Sequence, residues 1–206
     1  MFYKWKLLII LLSTLFSNVV LSEDCKKFFH ELDKQQITIV YKDQPEKFIQ
    51  RENAIFEGIN QCKTYAGMFV LMGELQIEVG QIPLAVVYGR KAVEIDAGYW
   101  RAHKLLGSAQ MLNKELEGGL KSLKTAVELN PKNINTQLNF ISALIQNKKY
   151  DKALTLINSI IDKNESGSVA IAYYFRSQVY IGKGLISEAN NDKKTARDMG
   201  FTFKQR

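Results

Sequence analysis

The sequence predicts an all-α chain, an array of paired helices behind a short helical extension, and three observations predict it. Apolar residues recur at helical spacing through most of the 206 residues. From Ala66 onward that pattern repeats every 34 residues. Within each repeat small residues stand where two helices would cross, and Pro131, one of only three prolines, separates two helical runs. With 46% apolar and 24% charged residues, the chain has the composition of a folded protein.

The first 22 residues, MFYKWKLLIILLSTLFSNVVLS, start with Lys4 and Lys6, run apolar from Leu7 to Phe16, and place Val20 and Ser22 at the small-residue positions of a cleavage site. This is the pattern of a secretory signal peptide, cleaved near Ser22. The alternative is a retained anchor, but Ser13, Thr14, Ser17 and Asn18 interrupt a run already shorter than the ~20 residues of a spanning helix. The chain from Glu23 is therefore expected to be exported, to the periplasm or cell envelope or beyond the cell. Membrane contact is expected only through the signal before cleavage. Richness in Lys, Ile and Asn points to a bacterial source. Without Lys4 and Lys6 the 28 basic residues become 26 against 21 acidic, a mild net +5 in place of +7.

Residues 23–65 read as the extension. EDCKKFFHELDKQ puts Phe28, Phe29 and Leu32 on one side of a short helix, and ITIVY after it is either a strand or extended packing. Pro45 opens a second helix at a first-turn position, with Phe48, Ile55, Phe56 and Ile59 on one face. Cys25 lacks the preceding small residues of a lipoprotein signal. An even pair of cysteines in an oxidising compartment favours a Cys25–Cys62 disulfide, which would contribute roughly 3–4 kcal/mol; the alternative is two partly buried thiols. Two distant cysteines are too few for a metal site.

The array spans 66–203, in units of about 66–99, 100–133, 134–169 and 170–203. In the first two, Met72-Gly73 aligns with Leu106-Gly107, Ala85 with Gly119, Gly89 with Leu123, and Ala92 to Asp96 with Ala126 to Asn130. Phe140, Leu144, Tyr150, Ala153, Ile157 and Ile160 keep the pattern in the third, although Ile141 replaces the small residue beside Phe140, and the fourth falls into phase when begun two residues late, at Ala170. Gly73, Gly107, Ala85 and Ala153 mark close helix crossings. Pro131 ends the helix closed by Ala126 to Leu129 and leaves Asn133 or Asn135 to cap the next.

These residues resemble the tetratricopeptide repeat. Leu106-Gly107, Leu123, Ala126 and Pro131 match its pattern in the second unit, and Tyr173, Tyr180, Ala189 and Ala196 in the fourth. His103 and Gln110 stand where aromatics are usual, Gly119 replaces an Ala, and Ala97 and Glu165 occupy the Pro131 position in the first and third units. The resemblance covers about two thirds of the chain. It implies a right-handed superhelical array of helix-turn-helix repeats whose first helices line a concave groove for a peptide or protein partner. The positions facing that groove would be Val70, Glu74 and Ile77 in the first unit and Arg101, Lys104, Ser108 and Met111 in the second. Leu138, Ser142 and Ile145 would follow in the third, then Tyr174, Gln178 and Ile181 in the fourth. Such an apolar trough with a basic patch at Arg101 and Lys104 suits a peptide with apolar anchors and an acidic group. It lacks the full basic set with which some family members clamp a C-terminal carboxylate. The extension could instead cover the groove or cap the array.

No catalytic constellation is present: His30 and His103 stand alone, there is no phosphate-cradling glycine loop, no HExxH and no CxxC. No catalytic residue, metal or cofactor is expected. Acidic residues interrupt the basic clusters Lys148-Lys149, Lys193-Lys194 and Arg197, which read as solvated helix faces, so nucleic acid is not an expected partner. Asn164-Glu165-Ser166 is a glycosylation sequon, meaningful only in a eukaryotic chain. The leading reading is an exported protein-interaction scaffold. The alternative is an enzyme or enzyme subunit whose site forms where the extension packs on the array.

Overall fold

The computed structural model describes residues 23–34, 45–163 and 167–202. The signal peptide, the ITIVY stretch and the Asn164 sequon lie outside them. The described residues are helical wherever they are regular: α1 (23–34), α2 (Pro45–Gln61), α3 (Ala66–Glu78), α4 (Ile82–Ile95), α5 (Trp100–Leu112), α6 (Leu116–Leu129), α7 (Ile134–Gln146), α8 (Tyr150–Lys163), α9 (Val169–Gly182) and α10 (Ile186–Asp198). The fold is all-α, an array of helix pairs. Two compact units divide it between Leu105 and Leu106, inside α5.

In the first unit α3 is buried along most of its length, which explains why its sequence, AGMFVLMGELQIE, is apolar on every side. One flank packs with Phe29, Leu32 and Ile55 of α1 and α2 through Met68, Leu71 and Leu75. Another packs Phe69 and Val70 with Ala92, Ala102 and Leu105. A Cβ added to Gly73 would stand 2.5 Å from Leu105 Cδ2, so the small residue predicted there is required by the approach of that side chain. Cys25 and Cys62 are joined by a disulfide, both nearly inaccessible, which ties α1 to the residue just past the end of α2.

In the second unit α5 and α6 cross at Gly107 and Gly119. A Cβ on Gly107 would lie 2.6 Å from Leu123 Cγ and 2.9 Å from the Leu123 backbone nitrogen. Leu123, Leu138, Ile141, Leu144, Ile157 and Val179 carry the core from α6 through α9. α6 ends at Leu129, before Pro131, and Asn133 rather than Asn135 caps α7: its Oδ1 accepts from the Thr136 amide at 2.9 Å. α9 and α10 are joined by a bidentate ion pair, Arg176 Nε to Asp192 Oδ2 at 2.7 Å and Nη2 to Oδ1 at 2.9 Å, with Asp192 only 2% exposed.

The turn inside each pair is built the same way. Gly80, Lys114, Lys148 and Gly184 adopt left-handed φ of 80°, 67°, 55° and 77°. Their spacing is 34, 34 and 36 residues, the last step carrying the two residues added before the fourth repeat. After each, the next amide reaches back five residues: Gln81 to Gln76 O, Glu115 to Gln110 O and Lys149 to Leu144 O at 2.8 Å, and Leu185 to Tyr180 O at 2.9 Å. These are Schellman closures, which satisfy the carbonyls orphaned at a helix end.

Candidate functional site

The basic patch expected at Arg101 and Lys104 belongs to the first unit, where it is engaged within the protein. Arg101 Nη1 and Nη2 donate to Asp33 Oδ2 and Oδ1 at 2.8 and 3.0 Å, and Nη2 also donates to Glu74 Oε2 at 3.1 Å. The guanidinium lies 5.4 Å from the Phe29 ring centroid. Burial alone would lower the pKa of Arg101, but the hydrogen bonds to Asp33 and the charge of Glu74 outweigh it and hold the side chain charged. Hydrogen bonding from Arg101 in turn holds the Asp33 carboxyl below its ordinary value, against the opposing effect of burial. Lys104 Nζ sits 3.7 Å from Glu74 Oε1 and 5.8 Å from the Trp100 ring centroid. Burial pushes the neighbouring Tyr99 hydroxyl up to about 12. Val70, expected to face the groove, is fully buried among Phe69, Ala92 and Leu105, because α3 is covered on that side as well.

In the second unit the face of α5 and α7 brings together Ser108, Met111 and Ser142. They line a cavity of about 360 Å³ with Leu112, Asn139 and Gln146. Asn139 Nδ2 donates to Ser108 Oγ at 3.3 Å, and Gln146 Nε2 to Ser142 Oγ at 3.4 Å. Leu138 is 8% exposed and belongs to the core beneath this face, with Ile145 partly buried against it. Tyr174 and Gln178 lie on α9, outside the cavity: Tyr174 stacks on Phe201 with centroids 5.1 Å apart, and Gln178 Nε2 reaches Ser177 Oγ at 3.5 Å. Leu112 and Gln146 were missed by sequence reasoning. They stand 34 residues apart, so following the repeat one position beyond Met111 and Ile145 finds both.

The cavity offers two primary amides and two hydroxyls beside the apolar Met111 and Leu112, so it can both donate to and accept from a peptide backbone while seating an apolar side chain. Among the described residues no group of three or more His, Cys, Asp and Glu could hold a metal ion, and no helix is long and apolar enough to cross a membrane.

No protein-family model matches the sequence, and a search of curated proteins finds no match. Solved structures do match. MamA is 21% identical, with TM-score 0.64 over 79% of this chain and 95% of its own. YrrB, described as a TPR protein with an unusual peptide-binding site, is 17% identical, with TM-score 0.63 over 77% and 80%. A kinesin light chain from Podosopora anserina with TPR-like repeats is 15% identical, with TM-score 0.67 over 84% and 93%. The chain has the tetratricopeptide-repeat fold.

Departures from the tetratricopeptide pattern are resolved locally. Gln110, in place of an aromatic, is 8% exposed and hydrogen-bonded at both ends of its amide: Nε2 to Glu115 Oε2 at 3.2 Å, and Oε1 from Ser122 Oγ at 2.9 Å. Gly119 stands in place of Ala because a Cβ there would come within 2.9 Å of the Gly107 carbonyl oxygen. His103 Nε2 lies 2.9 Å from the Ala97 carbonyl oxygen, an exposed contact.

Proposed function

We propose that this chain is a non-enzymatic scaffold, exported to the periplasm or cell envelope, that binds a peptide or protein partner along the first helices of its repeats. The observation that carries the reading is the α5–α7 cavity, where polar amides and hydroxyls border apolar side chains on the face that peptide-binding repeats use. Export rests on the signal-like first 22 residues and agrees with the paired cysteines. A protein or peptide partner is supported by the amides, hydroxyls and apolar side chains that the cavity presents.

The alternative placed a catalytic site where the extension meets the array. That contact is filled by Phe29, Leu32, Met68 and Leu71, and the carboxylates of Asp33 and Glu74 are spent on Arg101. Both facts favour the scaffold.

The test is affinity capture from an envelope extract with the chain from Glu23, beside an Asn139→Arg, Ser142→Arg variant whose added bulk and charge fill the cavity. A partner retained by the parent and lost by the folded variant supports the reading. Equal retention by both sinks the groove assignment, and a chain found only in the cytosolic fraction of its own cells sinks the export assignment.

A further inference from the structure

A second cavity, of about 520 Å³, opens on the second unit between α6 and α8, within the size range of ligand pockets. Its floor is apolar: Leu120 from α6, Phe140 and Leu144 from α7, and Leu156 from α8. Its rim is basic from both flanking helices, with Lys121 and Lys124 on α6, Lys152 on α8 and Lys149 just before it. Glu117 is the one acidic lining residue, so four lysines against one glutamate leave a net +3.

These charges are poorly used within the protein. Lys124 Nζ lies 3.4 Å from Glu128 and Lys149 Nζ 4.0 Å from Glu117, with both glutamates at least 60% exposed. Lys121 and Lys152 form no ion pair among the described residues. Like charges three residues apart on one helix face repel and weaken the helix, and α6 carries such a pair at this rim. A ligand that neutralises the lysines would relieve that repulsion.

We propose that this cavity is a further docking site, for a segment of a partner protein that carries a large apolar side chain flanked on both sides by Asp or Glu. The two-sided rim selects the occupant: a single-chain amphiphile has one charged head and would leave the lysines of one helix unmatched, whereas a peptide places charge on both sides of its anchor. The proposal rests on the scaffold reading but not on the α5–α7 cavity.

The experiment is fluorescence anisotropy of the chain from Glu23 with the labelled synthetic peptide EDELFDEDE. Binding is expected at a Kd of about 10–100 μM in low salt, weakening about tenfold or more in the Lys121→Glu, Lys152→Glu variant and again as salt screens the charges. Both substitutions are at exposed positions, and an unchanged circular dichroism melt establishes that the variant is folded. Binding of the anchorless peptide EDEGGDEDE with equal strength would overturn the proposal, since the apolar floor would then contribute nothing. Displacement of the probe by laurate at matching concentration would assign the cavity to lipid and also overturn it. If Asn139→Arg with Ser142→Arg abolishes binding while the lysine variant does not, the peptide sits on the α5–α7 face: the scaffold reading stands and this site falls. If no binding appears below about 1 mM, this site falls as well, and the capture experiment alone then decides the scaffold reading.

Discussion

Reducing the disulfide should loosen the first unit by an amount that the loop length sets. Cys25 and Cys62 are 37 residues apart in sequence. In the chain-entropy description, opening a loop of that size returns about 13 cal/mol/K to the unfolded chain, about 3.8 kcal/mol at 25 °C. Phe29 and Leu32, at 3% and 5% exposure, and the Asp33–Arg101 bridge still hold α1 in the reduced protein. The native contacts therefore survive, and the loss falls almost wholly on the unfolded side of the equilibrium. For a unit of this size the melting temperature should fall by about 15–30 °C. A Cys25→Ala, Cys62→Ala variant should behave like the reduced parent, with the alanines giving up some packing besides. The assay is thermal unfolding with and without reductant, followed by residue-resolved hydrogen exchange. Faster exchange is expected in α1, α2 and α3, with α9 and α10 unchanged. Unchanged exchange in α1 and α2 after reduction would refute the reasoning, because it would mean the buried contacts alone define the unit's stability.

Three further outcomes follow from the described geometry. Lys114→Gly and Lys148→Gly should each raise stability by about 0.5–1 kcal/mol, because the left-handed backbone strains a side chain that glycine lacks; urea unfolding midpoints that stay put or fall would contradict this. Asp192→Ala leaves Arg176 without its bidentate partner beside Tyr173 and should cost about 3 kcal/mol, the low end for a broken buried pair because the arginine side chain remains 20% exposed; denaturant unfolding of the variant measures it. The carboxyl of Asp33 titrates below its ordinary value in the folded state, so its contribution is present above pH about 4 and drains away as pH falls through the folded value; Asp33→Asn should remove that acid-dependent part, and parallel pH-stability curves for the two proteins would count against it.

The repeat was legible because its signal is local and periodic. Gly107 and Ala126 answer to packing within one helix pair and Pro131 to the corner that leads to the next pair, and the two-residue slip at Ala170 appears in the structure as the 36-residue step from Lys148 to Gly184. What stayed hidden is long-range. Asp33 bonds Arg101 across 68 residues, and nothing in either neighbourhood announces the pairing, so Arg101 read as a free groove cation. Leu138 read as groove-facing because helical phase alone cannot tell the rim of a groove from the layer beneath it. Gln110 looked like a weakened repeat position until Ser122 and Glu115 were seen to satisfy its amide. Lys149 was counted as a solvated charge, although with Lys121, Lys124 and Lys152 it frames an apolar cavity that appears only once α6 and α8 are placed side by side.

Because each turn is closed by main-chain bonds that any residue can make, the joints of the array are interchangeable parts. A gene segment that duplicates residues 115–148 would be joined just after equivalent turn positions, Lys114 and Lys148, and insert two helices with the main-chain closures of the turns repeated. Lysine at two of the four joints shows that the main-chain closure holds even where the left-handed backbone strains a side chain. Such a chain can lengthen or shorten by the unit while its neighbours keep their own packing.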